Sequence, residues 1–257
     1  MRNLVLIGIC TVREAFRSRV LYLLGIFSIL LVLGSVFVGL LTVGDETRVT
    51  VDMGLAGISI FGMLIIIFLG VQMVIQEVRE RTIYPVLTRP LGRHVYLLGK
   101  MLGLFLTVFI NAALMTVVMI LVLLVGGGEV EWGILYAVFF TLFEFMILIS
   151  FAVFFSTFST PILSSVLTLC IYLIGHLSWG LNEFASNPRF ATAPIRFIAR
   201  LFYYILPNLE YLNIRNEVIH GWEPGLRYVM SAAAYGMVYA AFITALSVLI
   251  FRRKDIQ

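Results

Sequence analysis

The stretch Val20–Val43, VLYLLGIFSILLVLGSVFVGLLTV, decides the fold class. It holds no charged residue and exceeds the roughly 20 apolar residues that an α-helix needs to cross a bilayer. Working outward, five more segments meet the same criterion: Met53–Ile75, Met101–Val125, Gly133–Phe155, Ile162–Leu181 and Tyr228–Phe251. The expected architecture is all-α and polytopic, one transmembrane domain over residues 1–257 with six spans.

Composition agrees. Charged residues make up 12% of the 257 and hydrophobic ones 61%, with a mean hydropathy of +1.04. A soluble fold of this size needs a charged shell that so few charges cannot build. Disorder is excluded by the same apolar excess. Cys10 and Cys170 stand far apart without ligand or redox spacing, so neither a disulfide framework nor a thiol enzyme is expected. A cleavable leader ending at Cys10 is rejected, because bulky Ile9 occupies the place where a cleavage site wants a small residue.

Basic residues orient the spans. Arg2, Arg13, Arg17 and Arg19 precede the first, Arg79, Arg81, Arg89, Arg93 and Lys100 follow the second, and Arg252, Arg253 and Lys254 close the chain. These twelve of the 18 Lys/Arg fall on one side, while the opposite short loops carry Asp45, Glu46 and Asp52 against Arg48, and Glu129 and Glu131 with no basic residue. The positive-inside rule puts both termini in the cytoplasm. The net charge of +4 is therefore inner-face anchoring and no sign of nucleic-acid binding.

Two segments are neither spans nor plain loops. Residues 2–19 set Arg2, Asn3, Arg13, Glu14 and Arg17 against Leu4, Val5, Ile9, Val12 and Phe16 on a helical wheel, as a helix lying in the inner interface would. Asn182–Arg227, broken by Pro188, Pro194, Pro207 and Pro224, is expected to form a short helical cap on the outer side, with a helix near Ile195–Leu206. Ala232, Gly236, Ala240 and Thr244, and likewise Gly99 and Gly103, are spaced four apart as small-residue helix seams. The spacing leaves open whether each seam lies within one chain or between two.

Catalytic patterns are missing. There is no G-x-x-x-x-G-K-[ST] phosphate loop, and the Gly126–Gly128 run is followed by acids that would repel phosphate. His94, His176 and His220 are read as isolated, without metal spacing. Glu144 is the one acid deep within a span. An isolated carboxylate there costs several kcal/mol if charged, so it calls for a partner such as Asn111, a wet cavity, or a proton. Alternatively it serves a proton-linked pathway.

The connection QEVRERTIYPVLTRPLGRHVYLLGKMLG, 76–103, is dense in charge for so apolar a chain. Interleaved signs in Glu77, Arg79, Glu80 and Arg81, with Pro85 and Pro90, suit a rigid elbow that docks another protein. Here the chain resembles the ABC-2 type transporter permeases, the membrane subunits of ATP-driven exporters. The resemblance rests on Glu77 and Glu80, Thr82, Leu87, Pro90, Arg93 and Gly99–Lys100. Arg81 stands where the family often has glycine, nearer the branch that includes permeases of nitrous-oxide-reductase maturation. Looser agreement comes from Phe155–Pro161, Leu206–Pro207–Asn208 and the Phe251–Asp255 exit.

The resemblance implies a homodimeric permease in a prokaryotic inner membrane and a separate cytoplasmic ATPase in two copies, which holds ATP and Mg. This chain would then have no enzyme activity and no cofactor. An accessory periplasmic protein is compatible with it. Coupling would run through Glu77, Arg79, Glu80, Arg81, Thr82, Arg89, Pro90 and Arg93. Two other functions fit the same residues: an autonomous proton-coupled transporter using Glu144, and a non-transporting membrane scaffold for an ATPase.

Overall fold

The computed structural model describes residues 2–40, 46–71, 93–128, 130–178, 206–219, 221–222 and 224–253. Among them are eight α-helices: α1 (Arg2–Arg17), α2 (Arg19–Leu40), α3 (Glu46–Ile65), α4 (Arg93–Val125), α5 (Gly133–Ser156), α6 (Pro161–His176), α7 (Arg215–Ile219) and α8 (Leu226–Arg253). A π-helical turn, Ile66–Gly70, prolongs α3, and a 3-10 turn, Glu210–Leu212, precedes α7.

Five helices are long and apolar enough to cross a membrane: Arg19–Gly39, Glu46–Gly70, His94–Val125, Gly133–Ser156 and Leu226–Phe251. They coincide with five of the six expected spans. Two begin earlier than hydropathy predicts, at Glu46 and at Arg93, because backbone hydrogen bonding carries a helix past the end of its apolar run. The remaining expected span, 162–181, is met by the shorter α6. Its 16 residues rise about 24 Å, less than the roughly 30 Å of a hydrocarbon core. Pro161 occupies the first turn, where its missing N–H costs nothing.

Helix ends follow local chemistry. After α4, Gly127 adopts φ +73°, the Gly128 N–H donates to the Leu123 carbonyl at 2.9 Å, and the Gly127 N–H donates to that of Leu124 at 3.3 Å. This glycine cap ends the helix without leaving carbonyls bare. The glycine run is thus a defined stop. Buried hydroxyls are likewise satisfied at home: Thr107, Thr116, Thr168 and Ser247 each donate to the carbonyl four residues back.

Packing sorts the helices. In α3 and α5, 61% of the most apolar window is buried, against 28% in α2 and α8, so α3 and α5 form the centre. Gly39 lies beside Glu46 and Gly57 beside Leu31, which makes α2 and α3 an antiparallel hairpin. Gly57 and Gly54 meet Met115 and Met119 of α4, and Gly62 meets the Phe145 ring of α5. The end of α8 returns to the start of α4, where Tyr96 and Phe251 stack with centroids 6.5 Å apart.

Both small-residue seams are intrachain. A Cβ on Gly103 would sit 2.6 Å from the Gly8 carbonyl, and one on Gly99 would lie 2.7 Å from Ile7 Cβ. So α1 packs along α4, through Leu4, Ile7, Gly8, Thr11 and Ala15. The expected apolar side is only part of this. Val5, Ile9 and Phe16 remain exposed, and a third, small-residue face carries the helix contact. In α8, Gly236 meets Phe143, and Ala232 and Ala240 are buried against α5.

The expected outer cap is described only from residue 206. That part packs against the end of α6. α6 stops opposite the middle of α5, and residues 206–214 fill the space beyond it with Pro207, Leu209, Leu212 and Ile214 buried. The Leu209 N–H donates to the Gly175 carbonyl, and Asn208 receives the Ser178 hydroxyl at 2.7 Å.

Candidate functional site

Where α6 ends, three elements bring polar side chains together. α5 supplies Glu144, α3 supplies Ser59, and α6 supplies Tyr172 and His176, four apart and so on one face. The 206–214 segment adds Glu210 and Asn213. It is pinned by the Tyr235 hydroxyl, which accepts from the Asn208 N–H at 2.8 Å, and by the Tyr228 hydroxyl, which donates to the Tyr211 carbonyl.

Glu144 is the hub, with its side chain 3% exposed. Its Oε1 lies 3.0 Å from His176 Nε2 and accepts from the Ser59 hydroxyl at 3.4 Å. Ser59 is 3.0 Å from the Tyr172 hydroxyl, whose ring meets the His176 imidazole edge-on at 4.6 Å. The other face of the imidazole reaches outward: Nδ1 lies 3.4 Å from Glu210 Oε2, which also accepts from Asn213 Nδ2 at 3.1 Å. A neutral imidazole donates from one nitrogen only, so the two contacts are made at once either by the imidazolium between two carboxylates or by a neutral ring that accepts a proton from the Glu144 carboxyl and donates to Glu210.

The result is a line of carboxylate, imidazole and carboxylate running from the middle of α5 to the 3-10 turn. It borders a cavity of about 560 Å³. Leu55, Ile60, Met63, Leu173 and Ile214 form its apolar walls, and Arg215 stands among its lining residues. Arg215 Nε is 3.0 Å from Asp52 Oδ1, without a hydrogen-bond alignment, so the contact is charge against charge. At Glu210 the His176 hydrogen bond is the main cause of a carboxyl held below its ordinary value. Burial opposes it, and Asn213 and the Arg215 charge assist.

Of the residues singled out from sequence, Glu144 sits in this site. Asn111 does not. It is buried on α4 near Gly25 of α2, lining a separate apolar groove of about 240 Å³, and the neighbours of Glu144 are Ser59 and His176 instead. His176, read as isolated, is the residue that links the two acids. Its separation by 32 and 34 residues from them hid the pairing. The one local signal was a tyrosine and a histidine four apart at the end of an apolar run. Glu77, Arg79, Glu80, Arg81, Thr82, Arg89 and Pro90 lie outside the described residues, and Arg93 opens α4. Among the described residues no group of three or more His, Cys, Asp or Glu is arranged to hold a metal ion.

Near the start of α4, Lys100 is 4% exposed and donates to Glu14 of α1 at 3.0 Å. Between α4, α5 and α8 runs a wider groove of about 760 Å³, lined by Met101, Phe105, Met146, Ala240 and Val248.

These features define a polytopic α-helical membrane protein with a polar cavity inside its bundle. The family model of the ABC-2 family transporter proteins matches residues 9–256, and the chain belongs to that family. No curated protein matches it.

Proposed function

We propose that this chain is the permease subunit of an ATP-driven exporter, forming the pathway while a separate cytoplasmic ATPase binds ATP with Mg. The observation that carries this reading is the family match across residues 9–256, together with a sequence free of any phosphate loop. Membership in the family brings an ATPase partner, and two copies of each subunit complete the transporter. Both termini and the 76–100 connection face the cytoplasm of a prokaryotic cell, α1 rests near the inner interface, and the connection carries the ATPase. ATP-dependent closure of the partner then shifts the bundle between pathway states through differential contact, with no chemistry in this chain. The branch shared with nitrous-oxide-reductase maturation remains a refinement of the same reading.

The test is charge reversal in the elbow. Glu80→Arg with Arg81→Glu is expected to lower ATPase co-purification about tenfold or more while the permease still inserts, since like charges across an interface cost several kcal/mol. Undiminished capture and undiminished stimulated hydrolysis overturn the docking role.

A second reading, proton-coupled transport by this chain alone, is favoured by the Glu144–His176–Glu210 line. It requires substrate flux by the purified permease without ATPase, abolished in Glu144→Gln. Flux only with ATPase and ATP eliminates it.

A further inference from the structure

We propose that the cavity between α3, α5, α6 and residues 206–216 binds an organic ammonium group, with Glu144 as its principal acceptor. The inference deepens the permease reading by naming a solute class, and it rests on that reading only for the step of transport.

The first argument is charge. The ionisable side chains that line the cavity among the described residues are Glu144, Glu210, His176, Tyr172 and Arg215. Arg215 is answered by Asp52 at 3.0 Å. With both acids ionised, what remains is two carboxylates against one imidazole, and the site is then negative whether His176 carries one proton or two. An anion is disfavoured in either state.

The second argument is burial. Glu144 is 3% exposed, yet it lines the cavity, and both of its hydrogen bonds among the described residues are made by Oε1. A buried carboxyl in so apolar a bundle needs polar partners for both of its oxygens. Oε2 is left to interact with whatever the cavity holds.

The third argument separates an ammonium from a metal ion. The two carboxylates lie on opposite nitrogens of one imidazole ring, so they do not converge on a point, and hard divalent ions require converging oxygens. An ammonium group carries up to three N–H donors that point apart, matching acceptors spread over Glu144, Ser59 and Tyr172. Leu55, Ile60, Met63 and Leu173 would cover the attached carbon skeleton. A volume of about 560 Å³ lies within the range of small-molecule sites.

An incoming ammonium takes the place of the imidazolium at Glu144. The proton bound by His176 is then released, and affinity rises with pH while the amine itself stays charged. Glu144, Glu210, Ser59, Tyr172, Asn213 and the Asp52–Arg215 pair are the groups that face this exchange.

The experiment uses the purified full-length permease in lipid nanodiscs, without ATPase, and three probes of one shape: benzylamine, benzyl alcohol and benzoate. Calorimetric titration is expected to show benzylamine binding at least about tenfold more tightly than either of the others, the scale of a hydrogen bond to a charged group. Glu144→Gln should remove that preference, bringing benzylamine to the level of benzyl alcohol measured on the same variant. Glu210→Gln, at the more exposed end of the line, should reduce it several-fold. The second variant keeps the test decisive if the first does not fold. Equal binding of the three probes, tighter binding of benzoate, or a benzylamine preference retained in both variants overturns the proposal. Because ATPase capture is measured separately, loss of amine binding with intact capture refutes this site and spares the permease reading.

Discussion

The α1–α4 seam and the Glu144 cavity lie in the same bundle and are built on opposite rules. Along the seam, Gly99 and Gly103 lie so close to α1 that an added Cβ would collide with Ile7, with Thr11 or with the Gly8 carbonyl. Around the cavity, Glu144, His176 and Glu210 contact one another in a line along one side of an open space of about 560 Å³. Lipid tails are as apolar as leucine, so helix contacts in a membrane come from close packing and from polar bonds rather than from hydrophobic exclusion. One region uses the first source and the other uses the second. The packed seam resists gradual deformation, as close-packed interfaces do. The polar site can exchange partners, because its bonds can be remade with a solute.

The comparison breaks most readily at Gly103. Gly103→Val should lower stability by about 3 kcal/mol, the upper part of the usual overpacking range, because the obstructing atom is the Gly8 backbone. Thermal unfolding in detergent reads this out, with Gly34→Ala as the companion, since nothing lies within 4 Å of that position. If Gly103→Val melts like the parent, α1 is not held by this seam.

A smaller effect is expected at the rim of the cavity. The Glu210 carboxyl is held below its ordinary value of 4.5, first by the His176 hydrogen bond. Its contribution to stability is therefore fully present above pH 4.5 and disappears as pH falls through the lowered folded value. Melting temperature followed from neutral to acid pH should fall less steeply in Glu210→Gln than in the parent. Identical acid limbs would mean that the His176–Glu210 contact does not persist in the membrane.

The smallest effect sharpens where the cavity ends. Asn111→Leu and Glu144→Gln should be additive in stability to within about 0.5 kcal/mol, as for sites with no shared partners. A coupling energy beyond that would restore Asn111 as a neighbour of Glu144.

Much of the architecture was legible before any packing was known. Each span carries its own apolar run, and Gly126–Gly128 and Pro161 mark ends through local backbone chemistry. The start of α3 at Glu46 and of α4 at Arg93 was less legible, because a helix need not stop where its apolar segment stops. The spacing of Gly99 and Gly103 announced a seam without naming α1 as its other half. Glu144 was marked by being alone in its span, Tyr172 and His176 only by their spacing of four, and Ser59 and Glu210 not at all.

What the sequence determined by itself is membership in the membrane class, the positions of the spans, and the basic side of the chain, because each depends on residues close together along the chain. What only the tertiary structure decided is which helix faces which. Ser59 and Tyr172 meet across 113 positions, and His176 lies between acids 32 residues before it and 34 after. Hydropathy places a helix across the membrane but is nearly silent about its rotation and its neighbours. Those follow from the shapes of glycines, rings and buried polar groups once the helices are packed.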